Sequence, residues 1–222
     1  MMVGKLFWVL LSLPKSIYFN FKYLGIKDGW KIPVLISYNT YLMETRGRVL
    51  IEGPLSFGMV RIGFGGIGLF DKRNRTIWHV YSGTVRFNDG IRIGYGSKIS
   101  VTNGCLIIGK NVRITASTQI ACNKKICIGD DSLISWDNLI MDTDYHKIFD
   151  NNNININEDK EILIGNNVWI GCRCTILKGS RIPNNTVIAA NSLINKDLGL
   201  SENTVIGGQN CKILRNNIYW EH

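Results

Sequence analysis

The chain has 222 residues, a formal net charge of +9 and 45% apolar residues. This length allows one large domain or two small ones, and the apolar fraction is sufficient for a packed core. The excess of positive charge favours an anionic partner, namely nucleic acid, an anionic membrane or a phosphate-bearing ligand. Because the sequence has no run of basic residues and no RNA-binding signature, it argues against nucleic acid as that partner.

Residues 1–50 form an apolar and basic N-terminal extension. Its segment KLFWVLLSL is too short to span a bilayer, which takes about 20 residues, and no small-residue cleavage site of a signal peptide follows it. The next segment, KSIYFNFKYLGIKDGWK, mixes aromatic and basic residues. Two interpretations stay open: a helical segment that packs its apolar face on the main domain, or docking on a membrane surface, which suits aromatic rings and lysines.

A six-residue repeat is the strongest signal in the sequence. From Ile164 onward every sixth residue is aliphatic, and the residue four positions after each of these is mostly small. The same spacing occurs upstream from near Val85, with a slip of two residues between two of its segments. The downstream aliphatic positions are Ile164, Ile170, Ile176, Ile182, Ile188, Ile194, Leu200 and Ile206.

A period of six matches neither a helix nor simple strand alternation, but it fits a short strand followed by a corner. The abundant glycine and asparagine residues suit such corners, because both readily adopt positive φ. Hexapeptide repeats are typical of a parallel β-helix, whose stacked coils share one continuous core. The sequence therefore predicts an all-β protein with a β-helix over residues 51–215 and a short tail over residues 216–222.

The repeat is interrupted over residues 141–161. This break contains Asp142, Asp144 and His146, which is one of three histidines in the chain. A β-helix coil has no spare side chains, because the inward ones form the core and the outward ones lie along the wall. A loop that leaves the coil is therefore the place where a catalytic base can reach a substrate.

The sequence resembles the hexapeptide-repeat acyltransferases. The segment IGNNVWIGCRCTILKGSRIPNNTVIAANSLINKD is similar to the family's segment after the catalytic loop, and VIGGQNCKILR is similar to its closing segment. The N-terminal part looks like a subgroup associated with capsule and O-antigen genes. The resemblance implies a left-handed parallel β-helix, a homotrimer with sites at the subunit interfaces, and acetyl-CoA as the acyl donor. It also implies acetyl transfer to a hydroxyl of a small-molecule or lipid-linked sugar in polysaccharide biosynthesis.

The resemblance places the catalytic histidine of the family at His146. A sugar hydroxyl is a poor nucleophile, whereas a thioester is already activated, so one positioned base is the main requirement. Histidine, with a reference pKa of about 6.5, suits this role. A carboxylate could orient the imidazole, and Asp142 and Asp144 are both candidates for it.

Further positions follow from the same resemblance. They are Trp169 and Cys172 beside the pantetheine arm, Ala190 as a backbone contact, Asn195 and Lys196 near the cofactor, and Lys212 and Arg215 at the CoA phosphates. For the acceptor, Trp136 and Asp137 lie just before the loop. An aromatic ring beside a carboxylate suits a sugar, which offers an apolar face and hydroxyl groups.

Other classes of protein share this fold. A serine or amino-sugar N-acetyltransferase and a non-catalytic β-helix scaffold remain alternatives. A γ-type carbonic anhydrase needs three zinc-binding histidines, two of them close in sequence, and His79, His146 and His222 lack that spacing. We therefore predict no metal. The six cysteines form no C-x-x-C pair and are expected to be reduced thiols of a cytoplasmic protein, which could associate with the inner face of the membrane.

Overall fold

The structure, a computed structural model, describes residues 2–71 and 73–221, and within the first helix it describes side chains from Phe7 onward. The described part begins with one helix, α1 (Met2–Gly29), which is followed by 22 short strands. The strands are β1 (Val34–Ile36), β2 (Tyr41–Glu44), β3 (Arg48–Ile51), β4 (Val60–Ile62), β5 (Ile77–Val80), β6 (Thr84–Phe87), β7 (Ile91–Ile93), β8 (Lys98–Val101), β9 (Cys105–Ile108), β10 (Arg113–Ile114), β11 (Gln119–Cys122), β12 (Lys125–Ile128), β13 (Leu133–Ile134), β14 (Leu139–Met141), β15 (Ile162–Ile164), β16 (Trp169–Ile170), β17 (Thr175–Leu177), β18 (Arg181–Ile182), β19 (Val187–Ile188), β20 (Leu193–Ile194), β21 (Thr204–Gly207) and β22 (Lys212–Asn216).

The strands form three sheets that are the three walls of a left-handed parallel β-helix. Sheet A has the order β1-β4-β7-β10-β13-β16-β19-β21-β22, sheet B the order β2-β5-β8-β11-β14-β17-β20, and sheet C the order β3-β6-β9-β12-β15-β18. All pairings are parallel except that of β21 with β22. We call the corner between sheets A and B the AB corner, and the corner between sheets B and C the BC corner.

The two-residue slip in the repeat has a structural cause in sheet C. Equivalent positions in neighbouring coils are 20 residues apart at Lys110 and Asp130, but 18 apart at Asn166 and Asn184. The longer coils contain four-residue strands such as β12, which buries two aliphatic side chains where β18 buries one. The core position therefore occurs twice in the longer strands, and the repeat shifts by two residues.

The core is the column of aliphatic side chains inside the coils. Ile170, Ile188 and Ile206 stack in successive coils and are fully buried. Burial of each such side chain contributes about 1.5–3 kcal/mol. The corners are formed by residues with positive φ, among them Asn185 at 56° and Asn191 at 58°. The predicted fold class is confirmed, and the abundance of asparagine is explained by these corners.

The β-helix begins earlier than the sequence predicts. Strands β1, β2 and β3 pair with β4, β5 and β6, so a complete coil precedes the predicted boundary at residue 51. The repeat is hard to recognise there because Trp78 and Phe87 fill core positions that isoleucine or valine fills elsewhere. The long connection between β4 and β5 also interrupts the spacing of six.

The N-terminal end of the β-helix is covered by helix α1. Helix α1 contains Pro14, is kinked at Gly25, and packs on β1 and β3. Ser12, Ser16 and Asn20 hydrogen-bond to the backbone of β1 and the residues just after it, and Phe19 is buried against Trp78. The helix therefore packs on the main domain through a face that is partly polar and partly aromatic. In the described part of the chain, no helix is both long and apolar enough to cross a membrane.

Candidate active site

The interruption of the repeat is an ordered arm that leaves the β-helix at the BC corner. It connects the end of β14 to the start of β15 and therefore takes the place predicted for residues 141–161. Its outer half folds back on itself, with Phe149 paired to Asn155 in antiparallel fashion. The carboxylate of Asp150 accepts two backbone N–H groups inside this turn. The arm thus has its own hydrogen bonds and can hold a side chain in a defined position.

His146 lies near the base of the arm and is exposed. Its backbone carbonyl accepts a hydrogen bond of 2.8 Å from the Asn157 side chain, which also accepts one of 2.6 Å from the backbone N–H of Ile148. No side chain of the described residues hydrogen-bonds to the imidazole, so its ring nitrogens are available to a substrate. The imidazole borders a small cleft of about 170 Å³, lined by Asn123, Thr143, Tyr145, His146, Lys147, Asn155, Asn157, Glu158 and Asp159.

The Asp142 side chain is bound by the backbone of the coil and not by the arm. Its carboxylate is fully buried and accepts hydrogen bonds from three consecutive backbone N–H groups, at 2.7 Å from Asn123, 2.9 Å from Lys124 and 2.6 Å from Lys125. Charge-assisted bonds of this kind are the strong ones. These bonds hold the Asp142 carboxylate against the corner before β12 at the base of the arm, and none of the described hydrogen bonds joins it to the His146 imidazole.

Asp144 is exposed and ties the arm to the coil. Its carboxylate accepts hydrogen bonds from Lys178 Nζ and from Asn157 Nδ2, the latter at 2.9 Å. The Lys178 ammonium, followed by the Asn157 amide, holds the pKa of the Asp144 carboxyl below its ordinary value. Lys178 also donates to the backbone carbonyl of Asn157 at 2.7 Å. Asp144 therefore belongs to the clamp beside His146, although it makes no hydrogen bond to the imidazole.

The AB corner brings four predicted residues together. Trp136 and Asp137 follow β13, and Cys172 and Ala190 occupy the same corner in the next two coils. The residue after Cys172 donates its backbone N–H to the carbonyl of Trp136 at 3.0 Å, and the residue after Ala190 donates to the carbonyl of Cys172 at 2.9 Å. A Cβ atom on Gly171 would lie only 2.7 Å from the backbone nitrogen of Ala190. Glycine is therefore required for this close stacking.

A second cleft, of about 410 Å³, lies beside Asp137 at the AB corner. Two cations, Arg75 and Lys98, face it together with Ser117 and Gln119. The combination of cations, hydroxyl and amide groups is suited to a polar and anionic ligand.

Trp169 stands on the outer wall of sheet A and is 39% exposed. Its indole nitrogen donates to the Ser135 hydroxyl at 3.2 Å. The ring of Trp220 lies 5.9 Å from it between ring centroids, and the Trp220 indole donates to the Asn167 carbonyl at 2.8 Å. The predicted tail over residues 216–222 is thus packed against the β-helix as far as Trp220, and it covers one side of Trp169.

The remaining donor candidates lie at two other places. Asn195 and Lys196 follow β20 at the BC corner, and the register of β17 with β20 puts Lys196 one coil beyond Lys178. Lys212 and Arg215 lie on β22, where every residue is exposed. Neither forms a salt bridge with any of the described residues.

Eight of the predicted site residues therefore form two separate groups at the corners of one chain. His146, Asp144, Asn195 and Lys196 belong to the BC corner, whereas Trp136, Asp137, Cys172 and Ala190 belong to the AB corner. The strands of sheet B, such as the three-residue β17, span on the order of 10 Å between these corners. No hydrogen bond among the described residues joins His146 to the AB corner.

The described residues contain no group of three or more histidine, cysteine, aspartate or glutamate side chains that could hold a metal ion. His79 lies in β5, where its Nδ1 is 3.2 Å from the Ser100 hydroxyl, and His222 is outside the described residues. All six cysteines are free, and burial raises the pKa of the Cys122 and Cys174 thiols.

Comparison with known proteins agrees with this architecture. The family described as bacterial transferase hexapeptide (six repeats) matches residues 161–196. The crystal structure of the polysialic acid O-acetyltransferase OatWY superposes with a TM-score of 0.61 at 26% identity, over 85% of this chain and 90% of that one. The chain therefore resembles the hexapeptide-repeat acyltransferases in its repeat and in its fold.

Within that class, the relatives are named as O-acetyltransferases. The chain is 28% identical over 144 residues to WbbJ of Escherichia coli K12, named for O-acetyl transfer in lipopolysaccharide biosynthesis; the match covers 60% of this chain and 72% of WbbJ. It is 33% identical over 137 residues to the polysialic acid O-acetyltransferase of E. coli O1:K1 / APEC. That match covers 59% of this chain and 44% of the relative, so the chain spans less than half of that protein's length.

Three residues near the site were not predicted from the sequence. Asn157 and Lys178 hold the arm around His146, and Trp220 covers Trp169. Lys178 stands in the family-like segment TILKGS, which is the only sequence signal for it, while Asn157 is one of several asparagines in the arm. Trp220 lies far from Trp169 in sequence, so no local pattern could pair the two rings.

Proposed function

We propose that this acyltransferase moves an acetyl group from acetyl-CoA to a hydroxyl of a sugar in cell-surface polysaccharide biosynthesis. The observation that carries the proposal is the exposed imidazole of His146, which stands without a hydrogen-bond partner among the described residues on an ordered arm where the repeat opens. The relatives named for O-acetylation of polysialic acid and in lipopolysaccharide biosynthesis support the class of acceptor.

In the proposed reaction His146 acts as the general base. It accepts the proton of the sugar hydroxyl as the hydroxyl oxygen attacks the carbonyl carbon of the thioester. The new C–O bond forms, the C–S bond breaks, and the proton passes from the imidazolium to the departing thiolate of CoA. A positioned base of this kind contributes about 10²–10⁴-fold to the rate.

The donor side of the proposal rests on the walls near Trp169. Its exposed ring face and the tightly stacked backbone at Cys172 and Ala190 suit a slender pantetheine chain. Lys212 and Arg215 are exposed cations without a salt-bridge partner among the described residues, which suits the phosphates of CoA. We keep Asn195 and Lys196 as donor contacts at the BC corner.

We propose that the protein is a homotrimer in which each site lies between two chains. The support is geometric, because His146 of one chain lies at its BC corner, away from the AB corner of the same chain. The arm also carries large apolar side chains that are exposed in a single chain: Ile148 at 55%, Ile154 at 60% and Ile156 at 62%. An exposed apolar patch of this kind is typical of a protein interface.

For the acceptor, we propose the AB corner beside the arm of a neighbouring chain. Trp136 can stack on the apolar face of a sugar ring, and Asp137 can accept hydrogen bonds from its hydroxyls. The adjacent cleft carries Arg75 and Lys98, which favours a sugar with a carboxylate or phosphate. A lipid-linked form of that sugar would be reached by a cytoplasmic enzyme at the inner face of the membrane.

A serine or amino-sugar N-acetyltransferase would use the same donor and base, so the assay has to distinguish an ester from an amide. We suggest measuring thiol release from acetyl-CoA with a panel of sugars, nucleotide sugars and serine, followed by treatment of each product with mild alkali. O-acetylation predicts release with a sugar acceptor and an alkali-labile acetyl group. Release with serine or an amino sugar alone, and a stable product, would contradict the proposal. Absence of release with every acceptor would favour a non-catalytic scaffold.

A further inference from the structure

The inner face of helix α1 combines a buried aromatic side chain, Phe19, which packs on Trp78, with a stripe of polar side chains that faces β1. Asn20 accepts a hydrogen bond from the Val34 backbone N–H at 3.1 Å and donates to its carbonyl at 2.7 Å. The Ser16 hydroxyl accepts the backbone N–H of Ile36, and the Ser12 hydroxyl accepts that of Tyr38 just after β1, both at 2.9 Å. These side chains satisfy the open edge of β1 as a neighbouring strand would, which protects an edge that could otherwise pair with another chain.

The outer face of α1 is apolar. Phe7 is 58% exposed, Leu10 55%, Ile17 37% and Tyr18 54%, and all four lie on the side opposite Ser12 and its partners. Trp30, just after the helix, is 67% exposed and packs edge-on against Phe21 at 4.9 Å between ring centroids. A helix at the surface of a soluble protein normally turns its polar side outward. Here the outer side carries apolar side chains instead, and they form a surface that no described residue covers.

The charge around this apolar surface is positive. Lys22 and Lys27 are exposed and form no salt bridge with the described residues, while Lys31 pairs with Asp28 at 2.8 Å. Asp28 is the first acidic residue of the chain. Lys15, in contrast, turns inward and donates to backbone carbonyls after β1, so it belongs to the packing of the helix.

From these features we infer that the outer face of α1 docks on an anionic phospholipid surface. Apolar and aromatic side chains flanked by lysines are what an interfacial helix presents to lipid, with the rings at the headgroup level and the lysines near the phosphates. The helix also covers the end of the β-helix, so docking there leaves the walls and the arm free. The inference deepens the proposed function by naming the membrane as partner, but the binding itself does not require acetyl transfer.

The test is co-sedimentation of the full-length protein with phosphatidylcholine vesicles, with and without phosphatidylglycerol. We expect binding to the anionic vesicles that weakens as salt rises, because exposed charges are screened. Leu10→Ser combined with Tyr18→Ser should weaken binding by about tenfold or more. Lys22→Gln combined with Lys27→Gln should weaken it by about fivefold per lysine.

Matched controls are available outside α1, in the connections between strands and in the arm. Phe57 and Leu69 are apolar residues at least as exposed as Leu10 and Tyr18, at 56% and 74%, and their replacement by serine should leave vesicle binding unchanged. Lys110→Gln combined with Lys160→Gln should also leave it unchanged. The helix variants should keep the wild-type melting temperature, because the outer face contributes little to the packing of the domain.

Three results would overturn the inference. They are failure of the wild-type protein to bind anionic vesicles, equal binding by the helix variants, and a change of particle mass in the helix variants without vesicles, which would identify a second protein chain as the occupant. Acetyl transfer to a water-soluble acceptor should be unchanged in the helix variants. Loss of vesicle binding with normal transfer, or the reverse, therefore separates failure of this inference from failure of the proposed function.

Discussion

Replacement of Asp142 by alanine should destabilise the protein by about 3–5 kcal/mol. The substitution removes the acceptor of three backbone N–H groups, at Asn123, Lys124 and Lys125. Each hydrogen bond to a charged group contributes about 1.5–3 kcal/mol, and an unsatisfied buried donor costs about 1–3 kcal/mol. Water that enters the emptied space offsets part of this loss, because the side chain of Lys124 is exposed at the same corner.

The assay is thermal unfolding of the Asp142→Ala variant, combined with acetyl transfer measured well below its transition. For a chain of this size, 1 kcal/mol corresponds to roughly 2–4 °C, so the midpoint should fall by about 6–20 °C. Asp150→Ala is the matched control, because it removes a carboxylate that accepts two backbone N–H groups in the outer part of the arm. We expect that variant to change stability by less than about 1 kcal/mol.

The reasoning would be refuted by an Asp142→Ala variant with wild-type stability and strongly reduced acetyl transfer. That result would favour the predicted role of Asp142 in orienting His146. A destabilised variant that keeps most of its activity at low temperature would agree with an anchor for the arm.

Three further predictions concern the number of chains per particle, the binding of the donor and the pH dependence of the arm. Light scattering should give about three chains per particle, and a monomer would exclude a site shared between chains. Replacing Lys212 and Arg215 together by alanine should weaken binding of CoA more than that of dephospho-CoA or a pantetheine fragment; equal losses would indicate a folding defect instead. The pKa of Asp144 is lowered in the folded protein, so its stabilisation of the arm is present above the ordinary value of 3.8 and is lost as pH falls through the lower folded value. Proteolysis of the arm should therefore increase in strong acid in the wild-type protein, and Lys178→Gln should weaken that dependence, because Lys178 is the larger of the two causes of the lowered pKa.

The core of the β-helix was predictable because one physical requirement recurs every six residues. Seven of the eight aliphatic positions from Ile164 onward are buried, and Leu200 packs against the same core. The first coils were missed because buried aromatic residues such as Trp78 and Phe87 replace the aliphatic ones. A search for any large apolar residue at the core position would have found them.

The two aspartates of the arm could have been separated by strand alternation. Ile140 points inward, so continuation of β14 makes Asp142 an inward residue and gives it the backbone of the corner as its partner. Asp144 follows after the chain has left the coil, where alternation no longer applies. Its pairing with Lys178 depends on how the arm folds back, which the sequence pattern does not encode.

The polar stripe of α1 could also have been recognised in the sequence. Ser12, Ser16 and Asn20 recur every four residues and form one polar stripe on the helix. The sequence could not tell which side of the helix faces the protein, because that depends on the open edge of β1. A strand edge requires hydrogen-bonding partners, and this requirement places the polar stripe against β1.

Acetyl transfer by a His146→Ala variant tests the central claim most directly. The arm contributes little to the core, so the variant should keep the melting temperature and CoA binding of the wild-type protein. Its rate with the true acceptor should fall by about 10²-fold or more, the scale of a lost general base, and His146→Asn should be equally inactive. A His146→Ala variant that keeps most of the wild-type rate would contradict the assignment of His146 as the catalytic base.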